Sequence, residues 1–380
     1  GARLPLEVAL LGGGAVGGDL QHADGAARVV QQRAVGALDE EVAAAGADAV
    51  ELSLHVLADG TITIGQERGA DAGRPLLGKP TPCVGRESEL AALAGQLSGC
   101  IDESDARVTL VTAAPGVGKS RLRHEFLRRV ELRGQPITCL VGRADMMNAG
   151  APYGILRDAI LKHCGISGSE PADVQRQLLR ERVARHLPAA DSERIVLFLG
   201  ELCSVPFLEA GQPMLEAARQ DPKLMASRLR RAFLDWLAAE CAAAPVLLVL
   251  DDLHWGDGLT VSALDEALSS QMGLPLCILA LARLEIHDTF PKLWQKRGAL
   301  ELPLKGLGKK ACERLIEQVL GRNMAPAIVA RAVEQSAGNA LFLEEPMRPL
   351  KKINSLAPFR CWKAYRNGRF NLVRGHLHRA

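Results

Sequence analysis

Ala113-Ala114-Pro115-Gly116-Val117-Gly118-Lys119-Ser120 carries the residue types that hold a phosphate chain. The pattern is G-x-x-x-x-G-K-[ST], with Ala113 in the place of the leading glycine. Gly116 and Gly118 let backbone N–H groups turn inward around phosphate oxygens with no Cβ in the way. Lys119 can reach the outer phosphates, and the Ser120 hydroxyl can take a position on Mg²⁺. The expected contacts are Pro115, Gly116, Val117, Gly118, Lys119, Ser120 and Arg121. Ala113 departs from the pattern where the chain leaves a strand in a tight turn, and Ala tolerates positive φ poorly. It is read as a tolerated variation.

A second run, Pro245-Val246-Leu247-Leu248-Val249-Leu250-Asp251-Asp252-Leu253-His254-Trp255, places acids after five apolar residues. Such a run suits a buried parallel strand, and ligands bind at the carboxyl ends of such strands. Asp251 is the expected Mg²⁺ ligand, through water, and Asp252 the residue that orients or deprotonates an attacking water. His254 can sense a γ-phosphate or serve as a hydrogen-bonded structural residue. Trp255 reads as packing.

The elements around the first motif are the ones it needs. Val108-Thr109-Leu110-Val111-Thr112 precedes it as a β-branched run. Leu122, Phe126, Leu127 and Val130 follow at helical spacing. Strands are expected at 108–112, 137–141, 246–250, 276–281 and about 300–304, with the phosphate-loop strand central. Residues 142–245 read as a long helical insertion, within which Asp221–Cys241 is a helix with Met225, Leu229, Phe233, Trp236 and Leu237 on its apolar face. Ala311–Leu320 and Ala327–Ser336 read as the helices of a small lid, stopped by Gly338. The fold class is α/β: a P-loop NTPase three-layer sandwich around a parallel sheet.

Both motifs, with Cys83-Val84-Gly85-Arg86-Glu87-Ser88-Glu89-Leu90 before them and Gly338-Asn339-Ala340-Leu341-Phe342-Leu343-Glu344-Glu345 after them, resemble the signal-transduction ATPases with numerous domains (STAND). Within that class the chain is most similar to the AAA-type module of large bacterial regulators, such as LuxR-type activators and serine/threonine protein kinases. Leu76-Leu77-Gly78-Lys79-Pro80-Thr81-Pro82 leading into Cys83–Glu87 resembles the kinase-linked group. The resemblance covers about residues 74–345. It implies ATP and Mg²⁺ as ligands, with Val84, Gly85 and Arg86 against the base and Gly338–Leu341 near it. It also implies that Arg283, after the strand Leu276–Ala282, senses the γ-phosphate. A guanidinium there can stabilise transferring phosphoryl charge; pairing with a surface carboxylate is the other reading. The resemblance implies a slow, Mg²⁺-dependent ATPase acting as a switch, with Lys119, Asp252 and Arg283 catalytic. The alternative is an ATP-binding interaction module that scarcely hydrolyses.

Composition bounds the rest. The 380 residues contain 4% aromatics, so Leu, Val and Ala must fill most of the core. Nine cysteines are scattered singly, with no C-x-x-C pair, which reads as reduced thiols in a cytoplasm. No apolar run approaches the length of a membrane span. Residues 346–380 hold nine Lys and Arg and no acid, leaving 37 basic against 44 acidic residues before them, a net of −7. That tail, with Trp362 and Tyr365, reads as a solvated terminus or a contact for nucleic acid or an acidic partner. Truncation or a shifted reading frame is one explanation for it, and an opening on Gly1 in place of Met points to a fragment.

The expected units are 1–70, a remnant of an upstream domain; 71–82, a linker; 83–305, the ATPase core; 306–345, the lid; and 346–380, the tail. Gly12–Gly17 contains G-x-G-x-x-G but lacks a helix start and a ribose-binding acid, so no dinucleotide site is assigned. Ala26–Ala45 reads as a helix, and Leu52–Leu57 with Thr61–Ile64 as a hairpin. No Asn-Lys-x-Asp motif marks a GTPase, and no His-Arg-Asp or Asp-Phe-Gly marks a kinase. The expected partners are ATP or ADP and either other domains of a larger regulator or a second copy. Nucleic acid and membrane are not expected.

Overall fold

Five parallel strands form one sheet in the order Thr138–Arg143, Val246–Asp251, Leu276–Ala282, Arg107–Thr112, Leu300–Pro303. The computed structural model describes residues 52–56, 62–66, 83–207, 213–269, 273–320 and 325–343. The chain divides into two compact units, Gly1–Ala72 and Gly73–Ala380. In the first, β1 (Leu52–Val56) and β2 (Ile62–Gln66) pair antiparallel, Leu54 opposite Ile64. Gly12–Gly17, Ala26–Ala45, the linker and the basic tail lie outside the described residues.

The second unit begins with α1 (Glu87–Glu103), β3 (Arg107–Thr112), α2 (Lys119–Glu131) and β4 (Thr138–Arg143). The insertion follows as α3 (Gly154–His163), α4 (Ala172–Ala184), α5 (Ala189–Leu202), α6 (Pro213–Gln220) and α7 (Pro222–Ala243). The sheet resumes with β5 (Val246–Asp251), α8 (Gly258–Ala267), β6 (Leu276–Ala282), the single turn α9 (Ile286–Thr289) and β7 (Leu300–Pro303). The lid helices are α10 (Lys309–Leu320) and α11 (Pro326–Ser336).

The unbroken apolar runs of β5 and β6 follow from burial on both faces. Successive side chains alternate across a strand. Val246, Leu248 and Leu250 enter one core with Leu276, Ile278 and Ala280, beneath α3, α7 and α8. Leu247 and Val249 enter another with Cys277, Leu279 and Leu281, beneath α1 and α2. Two helical layers therefore enclose the sheet. The phosphate-loop strand β3 is interior but not central: β6 takes the middle position and separates β3 from the acid-bearing β5. Local apolar pattern marks a strand as buried and carries no information on its rank in the order.

In the insertion, Asp221 caps α7 by accepting from the N–H groups of Lys223 and Leu224. Phe233, Trp236 and Leu237 are buried, with Met225 and Leu229 packed at the margin of the same core. One turn on, Glu240 is fully buried too. His186 Nδ1 stands 3.2 Å from its carboxylate, Arg182 at 3.6 Å and His163 at 3.8 Å. Burial alone would raise this carboxyl, but His163, Arg182 and His186 hold it below the usual range. The lid has its own small core, formed by Val84, Cys312, Leu315, Ile316, Ala332 and Leu343.

Candidate nucleotide site

The phosphate loop joins β3 to α2 at the carboxyl end of the sheet. Positive φ in this loop falls on Gly116 (78°) and Gly118 (110°). Ala113 needs none. Its N–H donates to Ala282 O at 3.2 Å, extending the β3–β6 ladder by one residue, and its side chain is buried. The missing glycine therefore costs the turn nothing: the sharp bend begins after the alanine.

Lys119 opens α2, and its Nζ donates to Ala113 O at 2.9 Å across the mouth of the loop. Burial lowers the ammonium from its ordinary value. Asp252 pulls it back up, Arg283 pushes it further down, and Asp251 raises it again. Lys119, Asp251, Asp252 and Arg283 thus share one electrostatic neighbourhood, contributed by the start of α2 and the ends of β5 and β6.

The two acids sit differently. Asp251, the last residue of β5, is buried, and burial raises its carboxyl above the ordinary range against the pull of Arg123. Its Oδ2 lies 3.6 Å from Arg123 Nε; its buried Oδ1 has no hydrogen-bond partner among the described residues. Asp252 leaves the strand in the left-handed region, φ 56°, which a short polar side chain tolerates better than most. Its carboxylate accepts from Arg143, at the end of β4, at 3.3 Å. An orphaned buried carboxylate oxygen and the exposed Ser120 hydroxyl in the first turn of α2 are hard oxygen donors of the kind Mg²⁺ takes.

His254 Nδ1 accepts from the Arg283 N–H at 3.4 Å, and burial holds its imidazole below its ordinary pKa. The Arg283 guanidinium lies 5.0 Å from the centre of the Trp255 ring, a cation–π distance. Trp255 thereby supports the arginine as well as packing.

Val84, Gly85 and Arg86 lie where the lid meets the loop. Val84 joins the lid core, and a Cβ on Gly85 (φ 66°) would stand 2.6 Å from Ala311 Cβ. The Arg86 side chain is buried and turned to backbone oxygens: it donates to Val117 O at 3.1 Å and Lys305 O at 2.7 Å, steadied by Glu89 at 3.0 Å. Arg121 is half-buried; burial lowers its guanidinium from the ordinary value, and Cys83 and Glu125 pull it back up. Arg123 and Arg143 are absent from the sequence-level assignment. Arg123 lies four residues past Lys119 and so on the same helical face, and Arg143 ends a strand that must run beside Asp251.

Residues 82–279 match the family model described as AAA ATPase domain. Arg283 and the lid lie beyond the matched segment. An uncharacterized protein of Rhizobium meliloti (strain 1021) is 27% identical over 205 residues, which are 53% of this chain and 18% of that protein. The chain thus spans about a fifth of the length of that relative. Among solved structures, the Aeropyrum pernix ORC1 protein in complex with DNA is similar with a TM-score of 0.42 and 15% identity, over 73% of this chain and 62% of that one. A STAND protein with a tetratricopeptide repeat sensor from Pyrococcus horikoshii gives 0.34 and 15%, over 72% and 30%. Among the described residues no helix is long and apolar enough to cross a membrane.

Proposed function

Because the chain belongs to the AAA ATPase domain family, we propose that it is a Mg²⁺-dependent ATP switch, binding ATP and hydrolysing it slowly within a larger bacterial signalling protein. One observation carries the reading: the charges of Asp252, Arg283 and Asp251, at the ends of β5 and β6, all act on the ammonium of Lys119, which opens the helix after the loop. The loop N–H groups and the Lys119 ammonium would hold the β- and γ-phosphates. Ser120 and Asp251 would hold Mg²⁺, which when bound neutralises charge developing on the phosphates. Asp252 would accept the proton of the attacking water, once released from Arg143. Arg283, carried by Trp255 and by the His254 contact, would reach only a γ-phosphate. Val84 and Gly85 would flank the base.

We place the module in the cytoplasm, as core 83–305 with lid 306–345, beside a kinase or LuxR-type output. The similarity of residues 76–87 to the kinase-linked group supports that setting. A second reading, binding with almost no hydrolysis, is favoured by one feature. Both acids already carry arginine partners, Arg123 on Asp251 and Arg143 on Asp252.

Calorimetric titration of the protein with ATP and ADP in Mg²⁺, together with phosphate release, tests both. ATP binding with slow release supports the switch, and binding without release supports the second reading. No binding of either nucleotide overturns both.

A further inference from the structure

Three successive carbonyls of the phosphate loop each have a donor from another part of the chain. Asn339 Nδ2 donates to Pro115 O at 3.0 Å, the Leu341 N–H to Gly116 O at 3.3 Å, and Arg86 to Val117 O at 3.1 Å. A trans peptide points its N–H opposite to its C=O. Fixing these carbonyls therefore aims the N–H groups of Gly116, Val117 and Gly118 the other way, toward the concave side of the loop. Three such amides form the kind of nest that binds an anion.

The donors are themselves fixed. Asn339 Oδ1 accepts the Leu341 N–H at 3.0 Å, and the Asn339 N–H donates to Ser336 O at 2.8 Å. The Leu307 N–H donates to Gly338 O at 2.7 Å, tying the turn to the chain that leaves β7. A Cβ on Gly116 would stand 2.5 Å from Asn339 Oδ1, so the glycine admits the lid as well as the phosphate. Arg86 is buried with its charge turned to two carbonyls and Glu89.

The geometry points to Asn339 and Arg86 as positioning residues that hold the phosphate loop open for an anion from its carbonyl side. It also couples the lid to phosphate occupancy, not to the base. This rests on the nucleotide reading of the loop. If the loop amides are pre-aimed by the lid turn, an anion on the amides must in return steady the turn, since coupling between sites is reciprocal.

The test uses magnesium tripolyphosphate, which has no base, beside MgATP, with the protein and its Asn339→Ala and Arg86→Gln variants. Asn339→Ala should weaken both ligands by the same factor, about two- to tenfold for one net hydrogen bond. Arg86→Gln should act in the same direction and more strongly, a charged donor being lost. Hydrogen exchange on the unmodified protein gives an arm free of any folding defect: tripolyphosphate should slow exchange across 338–343. Loss of ATP affinity with tripolyphosphate unchanged would assign Asn339 to the base and overturn the inference. So would unaltered affinities, or exchange in the lid turn indifferent to tripolyphosphate. Failure of the unmodified protein to bind either ligand would instead sink the nucleotide reading itself.

Discussion

Arg123 Nε stands 3.6 Å from Asp251 Oδ2, and both side chains are almost wholly buried. A cation of the protein's own therefore neutralises the carboxylate that Mg²⁺ would need. Breaking a buried pair from one side costs about 3–5 kcal/mol, because the remaining charge is left unpaired. Arg123→Leu should lower stability by that order at neutral pH in urea unfolding. The loss of Arg123 raises the folded-state Asp251 carboxyl further above its unfolded value. A group raised in this way contributes stability at low pH that disappears as pH climbs through the folded value. The deficit should therefore shrink as pH falls through the folded value; a deficit independent of pH would refute the pairing.

Lys119→Ala should remove measurable ATP binding and leave the fold intact. The side chain crosses the loop mouth to Ala113 O and fills no core position. An ATP affinity within about threefold of the original, less than ~0.7 kcal/mol, would rule out the phosphate-loop assignment.

Asp251→Asn and Asp252→Asn should behave differently. The first touches the buried oxygen donor and should shift nucleotide binding to higher Mg²⁺. The second should spare binding and slow phosphate release. Arg143→Ala should raise release if Arg143 restrains Asp252. Magnesium titrations and turnover on the three variants separate these outcomes, and matching phenotypes for the two acids would remove the division of roles.

Arg283→Ala should cost ATP more than ADP. A charge-assisted contact is worth about 1.5–3 kcal/mol, so the ATP-to-ADP preference should fall roughly ten- to a hundredfold. Trp255→Ala should give a smaller loss of the same kind, since the ring only supports the guanidinium. Equal losses for both nucleotides would make Arg283 a structural residue.

What could be read from the residues alone follows the range of the physics. Strand β5 shows itself because both faces are covered and the side chains from Val246 to Leu250 must be apolar. Helix α7 shows itself through the spacing of Phe233, Trp236 and Leu237. Glu240 does not: one turn past an apolar stripe, it would be placed in solvent. Its partners His163 and Arg182 come from two other helices and His186 from the turn after the second, all more than fifty residues away. Arg143 meets Asp252 across 109 residues, and Asn339 meets Pro115 across 224. Periodicity reports which face is buried; it does not report which polar groups meet there. The position of β3 beside β7 is hidden for the same reason. Ala113 misleads in the other direction, since the expected strain depends on where the bend starts.

The same pairing bears on how the protein is made. Thr109 of β3 pairs with no part of the chain made just before or after it, but with Leu279 and Leu300, the latter about 190 residues downstream. Ribosomes add about 5–20 residues per second, so β3 emerges roughly 10–40 s before its outer neighbour exists. The insertion helices, which lie between β4 and β5 in the chain, emerge within that interval. The apolar β3 and the loop after it cannot be completed until the far strand and then the lid turn arrive. Nucleotide capture is thus a late event in synthesis, and a stalled chain that already contains the whole phosphate-loop motif should still be unable to bind.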